Sequence, residues 1–241
     1  MRLSTAFAVT LLLLSRTIPG ESKDAAGSVL DSGSFGIFMN GKRVATETFS
    51  VQQQASGIST ATSQLKEDSV GGAGQSSELQ IMSNGSIVKY EWRELSPGKS
   101  QLSVLPNNEF LVEKITQSPG EKAAEQPFLM PNTSVVLDNN FFLHRELLAW
   151  RYLASSCQTK QGGRCTPAEF GAIVPQERVS IRVAVQATGE EKVNIRGNER
   201  TLVRLNVKSD QDEWALWVDA ADHYKLMKVT RAGETTEVVR D

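Results

Sequence analysis

Asp31, Ser32 and Gly33 form the one short string in this chain that matches a catalytic motif. Asp-Ser-Gly places a carboxylate where aspartic-protease chemistry needs one, with two such groups sharing a proton and activating water. That chemistry requires a second Asp-Thr/Ser-Gly, from the same chain or from a partner copy, and the sequence has no second copy. Asp31 also lies close to the start, with no strand ahead of it to hold it, so it reads as part of a flexible segment entering a first strand. Hydrolysis centred on Asp31 remains an alternative.

Other chemistry has less to stand on. The Gly-x-Ser-x-Gly elbow of serine hydrolases is absent. With two histidines, few triads can be built. His144 sits beside Arg145 and Glu146 in an apolar segment and reads as a polar-face residue rather than a base. His223 follows Asp219 and Asp222, a grouping that reads as a solvated turn before it reads as a cation site. There is no Gly-rich phosphate loop. No catalytic residue, no metal site and no cofactor is expected.

Cys157 and Cys165 are separated by a polar loop containing two glycines. A disulfide across that loop is the expected state in an oxidising compartment. A zinc site is not expected, because two cysteines at this spacing match no zinc pattern.

The elements that would position any site are mostly strands. Phe35, Ile37 and Met39 alternate ahead of Asn40-Gly41, a strong hairpin signal, and the chain returns through Val44 to Phe49 and Val51. Asn84-Gly85 joins a strand around Ile81 to one running from Ile87 to Trp92. Strands are also expected over residues 101–105 and 109–116, with loops over 68–77 and 117–126. The second half alternates more cleanly: Val179, Ile181, Val183 and Val185, then Val203, Leu205 and Val207, then Trp214, Leu216 and Val218, then Met227 and Val229. Period-two patterning means strands with one buried face, and short connections mean antiparallel neighbours.

Residues 139–156 break the pattern. They contain no Gly or Pro, and Asp138, Asn139 and Asn140 offer N-caps. On a helix, Phe141 and Leu148 fall on one side, Phe142 and Leu153 on the adjacent side, and Trp150 on the opposite side. A helix apolar on nearly all sides is buried, or covers something on two sides. It either plugs the open side of a curved sheet or forms a lid over a lipophilic cavity. The expected architecture is mainly β: a strongly curved antiparallel sheet, half-barrel or open barrel, with one long helix packed on or in it.

Composition narrows the partners. The chain has 241 residues, 26 basic and 28 acidic, for a net charge of -2. That balance argues against a nucleic-acid partner, which calls for a basic face. Residues 1–22 read as a signal peptide: Met1-Arg2, an apolar stretch from Leu3 to Leu14, then Pro19-Gly20. The stretch is short of the roughly 20 residues a membrane helix needs. The expectation is an exported protein, periplasmic or secreted, with no transmembrane segment after processing and a single β domain over residues 23–241.

Leu216-Trp217-Val218-Asp219, then Leu226-Met227-Lys228-Val229, then Glu237-Val238-Val239-Arg240 resemble the final strands of the uncharacterised periplasmic families of the DUF3108 type. Those families are similar in turn to the half-barrel carriers and lipoprotein-receptor folds of the bacterial envelope. The resemblance implies a non-enzymatic β protein that binds an apolar small molecule, a lipid or an envelope protein on a concave face. Phe141, Phe142, Leu148, Trp150 and Leu153 would line or close that face, and Trp217, opposite Trp214 and Leu216 on its strand, would offer a further surface. The alternative within the same fold is a structural or assembly module whose core is filled by its own helix.

Overall fold

The computed structural model describes residues 27–158, 164–210 and 212–241. The signal peptide expected over residues 1–22 lies outside the described residues. The first half is an antiparallel meander of β1 (Ser28–Met39), β2 (Lys42–Gln53), β3 (Ser59–Glu67), β4 (Gly74–Ile81), β5 (Ile87–Ser96), β6 (Gln101–Asn107), β7 (Phe110–Thr116) and β8 (Ala124–Phe128). The short β9 (Val135–Val136) and the helix α1 (Leu143–Ser156) follow. A two-stranded hairpin, β10 (Cys157–Gln158) with β11 (Arg164–Cys165), leads to the second meander. That meander comprises β12 (Ala168–Val174), β13 (Val179–Ile195), β14 (Asn198–Lys208), β15 (Glu213–Asp219), β16 (Lys225–Arg231) and β17 (Thr236–Arg240).

The ends of the described chain meet in the middle of the sheet. β1 pairs antiparallel with β17, Phe35 opposite Arg240, and so joins both meanders into one sheet of 15 strands. β8 forms one edge, and β9, parallel to β12, forms the other. Residues 129–134 alone connect those edges. At about 3.5 Å per residue, the edges lie within about 25 Å of each other, so the sheet must curl. Arg178, at the turn between β12 and β13, pairs with Glu113 of β7 at 2.9 Å and accepts a hydrogen bond from Gln126 of β8 at 2.9 Å. The fold class read from the sequence is the one the structure has: a mainly β, curved, open sheet with one helix packed in it.

The local signals act as expected at the turns. Asn40 and Gly41 both take positive φ, 52° and 75°, as the two-residue hairpin turn requires. The same device recurs at Arg196-Gly197 between β13 and β14. Two expected loops are shorter than their composition suggests. Gly74 to Ser77 belong to β4 and pair with β3 and β5, and Ala124 to Gln126 belong to β8. Pairing with an existing strand overrides a polar composition, because each added residue completes ladder hydrogen bonds.

The concave side holds one continuous core. Phe35, Phe49, Tyr90 and Leu111 of the first meander meet Val183, Leu205, Leu216 and Val238 of the second. Phe141, Leu143, Leu148, Ala149 and Tyr152 pack among them, so α1 lies inside the curve of the sheet.

Cys157 and Cys165 are joined by a disulfide across the β10–β11 hairpin, with Cα atoms 4.0 Å apart. Closing a loop of this length is worth about 2–3 kcal/mol by chain entropy. Reduction of the folded protein is expected to lower the urea midpoint by a corresponding amount, and an unchanged midpoint under strong reductant refutes that.

Candidate functional site

The concave face carries charges where the strand pattern calls for apolar side chains. In β2, Ala45, Glu47, Phe49 and Val51 all point inward, and Glu47 is fully buried. In β1, Asp31 shares the inward period of Phe35 and Ile37, and in β17 Arg240 follows Val238 inward. Buried charges are tolerated only when paired and hydrogen-bonded. Asp31 and Arg240 partner each other, and the remaining partners come mainly from α1 and the segment before it.

Glu47 caps the helix from the sheet. Its Oε2 accepts the Phe142 N–H at 2.6 Å, and its Oε1 accepts the Leu143 N–H at 3.2 Å and the Ser63 hydroxyl at 2.7 Å. The first amides of a helix are unpaired and carry its positive end, so a carboxylate suits them. Local caps were expected from residues 138–140, with the helix starting at 139. Instead the helix starts at Leu143, and Phe142 at the N-cap position makes no side-chain cap bond. Asp138 is occupied elsewhere: it accepts the Asn140 N–H at 2.8 Å and hydrogen bonds from Tyr90 and Gln176.

His144, read as a polar-face residue, and its neighbours Arg145 and Glu146 are among the most buried in the helix, at 1%, 5% and 0% exposed. Arg145 donates to the carbonyls of Asp138 at 3.1 Å and Phe141 at 3.3 Å, and its guanidinium lies 4.4 Å from the Trp214 ring. Glu146 meets Arg240 at 3.4 Å, and Arg240 grips both oxygens of Asp31 at 2.6 and 2.7 Å. The Arg240 guanidinium rests above the stacked rings of Phe35 and Phe49. Asp31 is therefore held in β1 at 3% exposure, which corrects its reading as part of a flexible segment. The partner that holds it is 209 positions away, beyond the reach of any local signal.

Burial sets the protonation of this cluster. It pushes the Glu47 carboxyl up to about 7, against the pull of Ser63 and the helix amides. Burial and the adjacent Asp31 push Glu146 well above the usual carboxylate range. Burial would raise Asp31 too, but its bonds with Glu146 and Arg240 prevail and hold it low. Burial, with Arg145 beside it, pushes His144 down to about 3. Asp31 and Glu146 thus form an acid pair around one arginine, but neither lines the larger clefts that open beside the helix. In this geometry the pair docks α1 onto the sheet.

Those clefts lie along the far part of α1. One side of the helix, His144, Leu147, Leu148, Arg151 and Ser155, faces a cleft of about 530 Å³ completed by Leu79, Ile81, Val135 and Phe170. Another side, Trp150 and Leu153, faces a cleft of about 870 Å³ beside the disulfide, with Ala187, Val203 and Tyr224 opposite. Trp150 borders both and donates its Nε1–H to the Tyr224 carbonyl at 3.1 Å.

Of the six residues chosen from the sequence, Leu148, Trp150 and Leu153 border these clefts. Phe141 and Phe142 are buried in the core. Trp217 lies in a separate cluster with Ile195, Leu202 and Met227, and its Nε1–H donates to Glu191 at 2.9 Å. Sequence reasoning missed Leu79, Ile81 and Phe170, which nothing but the sheet order brings to the helix. It also missed Glu47 and Arg240, whose signal was a charge at an inward position of an otherwise apolar alternation.

The fold places this chain among β-barrel-like proteins. A β-barrel-like protein of a domain of unknown function, DUF1849, from Brucella abortus superposes on it with a TM-score of 0.54. The match covers 87% of this chain and 94% of that one at 7% identity, a likeness of fold alone. No family model matches the sequence. A formamidopyrimidine-DNA glycosylase of Vibrio parahaemolyticus is 25% identical over 125 residues, 45% of this chain. The match spans 44% of that enzyme, less than half its length, and carries no activity across.

Proposed function

We propose that this is an exported, non-enzymatic protein with a single β domain that holds an apolar or amphiphilic molecule beside α1. The observation that carries the reading is the cleft of about 530 Å³ with a largely aliphatic and aromatic lining. Its volume is in the range of small-molecule sites, about 300–1,000 Å³. Export is supported by the disulfide and by the leader-like composition of residues 1–22. Among the described residues no helix is long and apolar enough to cross a membrane. The DUF3108-type pattern of the last strands fits an envelope carrier of this kind. A structural module filled by its own helix is favoured by one specific observation, the complete burial of Phe141 and of Leu143, Leu148 and Tyr152 of α1. The clefts on either side of that packed core favour the carrier.

Native mass spectrometry of the protein purified from its own envelope fraction, with organic extraction, tests the choice. A carrier is expected to release an apolar molecule at fixed stoichiometry, and Leu147→Trp, which fills the cleft, to arrive empty. A clean mass for the unaltered protein, with no uptake of a hydrophobic dye, sinks the carrier reading in favour of the self-filled module.

A further inference from the structure

His144 lines the cleft of about 530 Å³ from the first turn of α1. Its Nδ1 accepts the Asp138 N–H at 3.2 Å, which leaves the ring proton on Nε2. With its pKa pushed down to about 3, the imidazole stays neutral and that N–H is a donor at any physiological pH. Nε2 is buried and has no acceptor among the described residues. Ser134, one residue ahead of β9, lines the same cleft at 3% exposure, and its Oγ is also buried without a partner. Buried polar groups in folded proteins are nearly always satisfied, so two unsatisfied ones on one cleft point to something that occupies it.

The chemistry of that occupant follows from the lining. Leu79, Ile81, Leu147 and Phe170 accept an aliphatic body. The stretch of α1 from His144 to Ser155 is about 16 Å long, at about 1.5 Å per residue. Both unsatisfied groups are uncharged. Arg151, the cation bordering this cleft, is seven residues further along the helix, about 10 Å away. Arg145, next to His144, does not border the cleft: its guanidinium is turned to Phe142 and Trp214 at 4.8 and 4.4 Å. An anion at the His144 end would therefore be buried without a countercharge, which is costly, whereas a neutral oxygen would not.

We propose that the cleft along α1 takes an aliphatic amphiphile whose uncharged oxygen, a hydroxyl or a carbonyl, is hydrogen-bonded by His144 Nε2 and Ser134 Oγ. This rests on the binding role proposed above and specifies the class of ligand.

The test compares 1-undecanol with dodecane, two chains of equal length that differ in the oxygen. Each competes with the dye N-phenyl-1-naphthylamine on the full mature protein and on the double variant Ser134→Ala/His144→Phe. The ratio of the two apparent Kd values is expected to shift about tenfold against the alcohol in the variant, the scale of one hydrogen bond to a buried group. In the unaltered protein, the His144 Nε2–H resonance is expected to move with undecanol and to stay put with dodecane; this readout holds even if the variant does not fold. An unchanged ratio in a folded variant, or an Nε2–H resonance indifferent to the alcohol, overturns the proposed contact and leaves apolar binding standing. Failure of the dye and both ligands to bind at all overturns the binding role itself.

Discussion

Replacing Arg240 with alanine is expected to destabilise the fold by about 3–5 kcal/mol, the scale of breaking a buried ion pair from one side. The substitution leaves Asp31 buried at 3% exposure without the guanidinium that contacts both its oxygens. Lys225, 3.7 Å from the same carboxylate, is too far to replace those bonds. Arg240 also links Asp31 to Glu146, so its loss weakens the hold of the junction of β1 and β17 on the first turn of α1. The cost arises from the stranded charge rather than from the worth of the pair, and a second variant separates the two. Asp31→Leu with Arg240→Leu removes both charges, and such swaps are often neutral or stabilising. Urea unfolding is expected to show a large loss in the single variant and recovery of most of it in the double. A single variant within about 1 kcal/mol of the unaltered protein would show that the pair does not dock the helix, since that is the scale of a solvated surface bridge.

Stability is expected to fall as pH rises from about 6.5 to 8, the reverse of ordinary acid denaturation. The folded-state pKa of Glu47 is raised to about 7 from an ordinary 4.5, so the folded state binds more protons than the unfolded one between those values. The contribution is therefore fully present below 4.5 and is lost as pH passes through about 7. Each pH unit in that interval is worth about 1.4 kcal/mol, so the loss amounts to about 3 kcal/mol. Glu146, also raised, acts in the same direction and carries the decline further. Asp31, held low, acts oppositely: its contribution is present above 3.8 and is lost in acid. His144, pushed down to about 3 from an ordinary 6.5, also opposes the decline: its contribution is present above 6.5 and is lost as pH falls toward 3. Maximal stability should therefore lie near pH 6.5, where the His144 gain ends and the Glu47 and Glu146 losses continue. Glu47→Gln keeps an oxygen for a helix amide but no longer titrates, so it is expected to flatten the decline. Urea unfolding at several values between pH 6.5 and 8 checks this, and flat or rising stability across that range rejects it.

How much of this was legible in the chain itself depends on how far each interaction reaches. The alternation at Phe35 and Ile37 or at Val203, Leu205 and Val207 announced strands and their buried faces, because a strand's two-sidedness is a property of neighbouring residues. Asn40-Gly41 announced its hairpin because the turn needs positive φ at both positions. Cys157 and Cys165 announced their bond by sitting either side of a short polar loop. The apolar stretch around Leu148 and Tyr152 announced a buried helix, although not where that helix begins.

The start of the helix was set by Glu47, 95 positions earlier, and the fate of Asp31 by Arg240, 209 positions later. A carboxylate or guanidinium taken alone belongs in water, and only a partner in place makes its burial tolerable. The clefts have the same origin. Leu79 and Ile81 of β4 share a cleft with Phe170 of β12 and α1 only because the curled sheet brings the two meanders together. Period, turns and apolar faces follow from neighbouring residues, because sterics and solvation set them over a few positions. Tertiary structure alone decided which charges go inside and where space remains beside the helix, because both depend on partners that the chain brings together from its opposite ends.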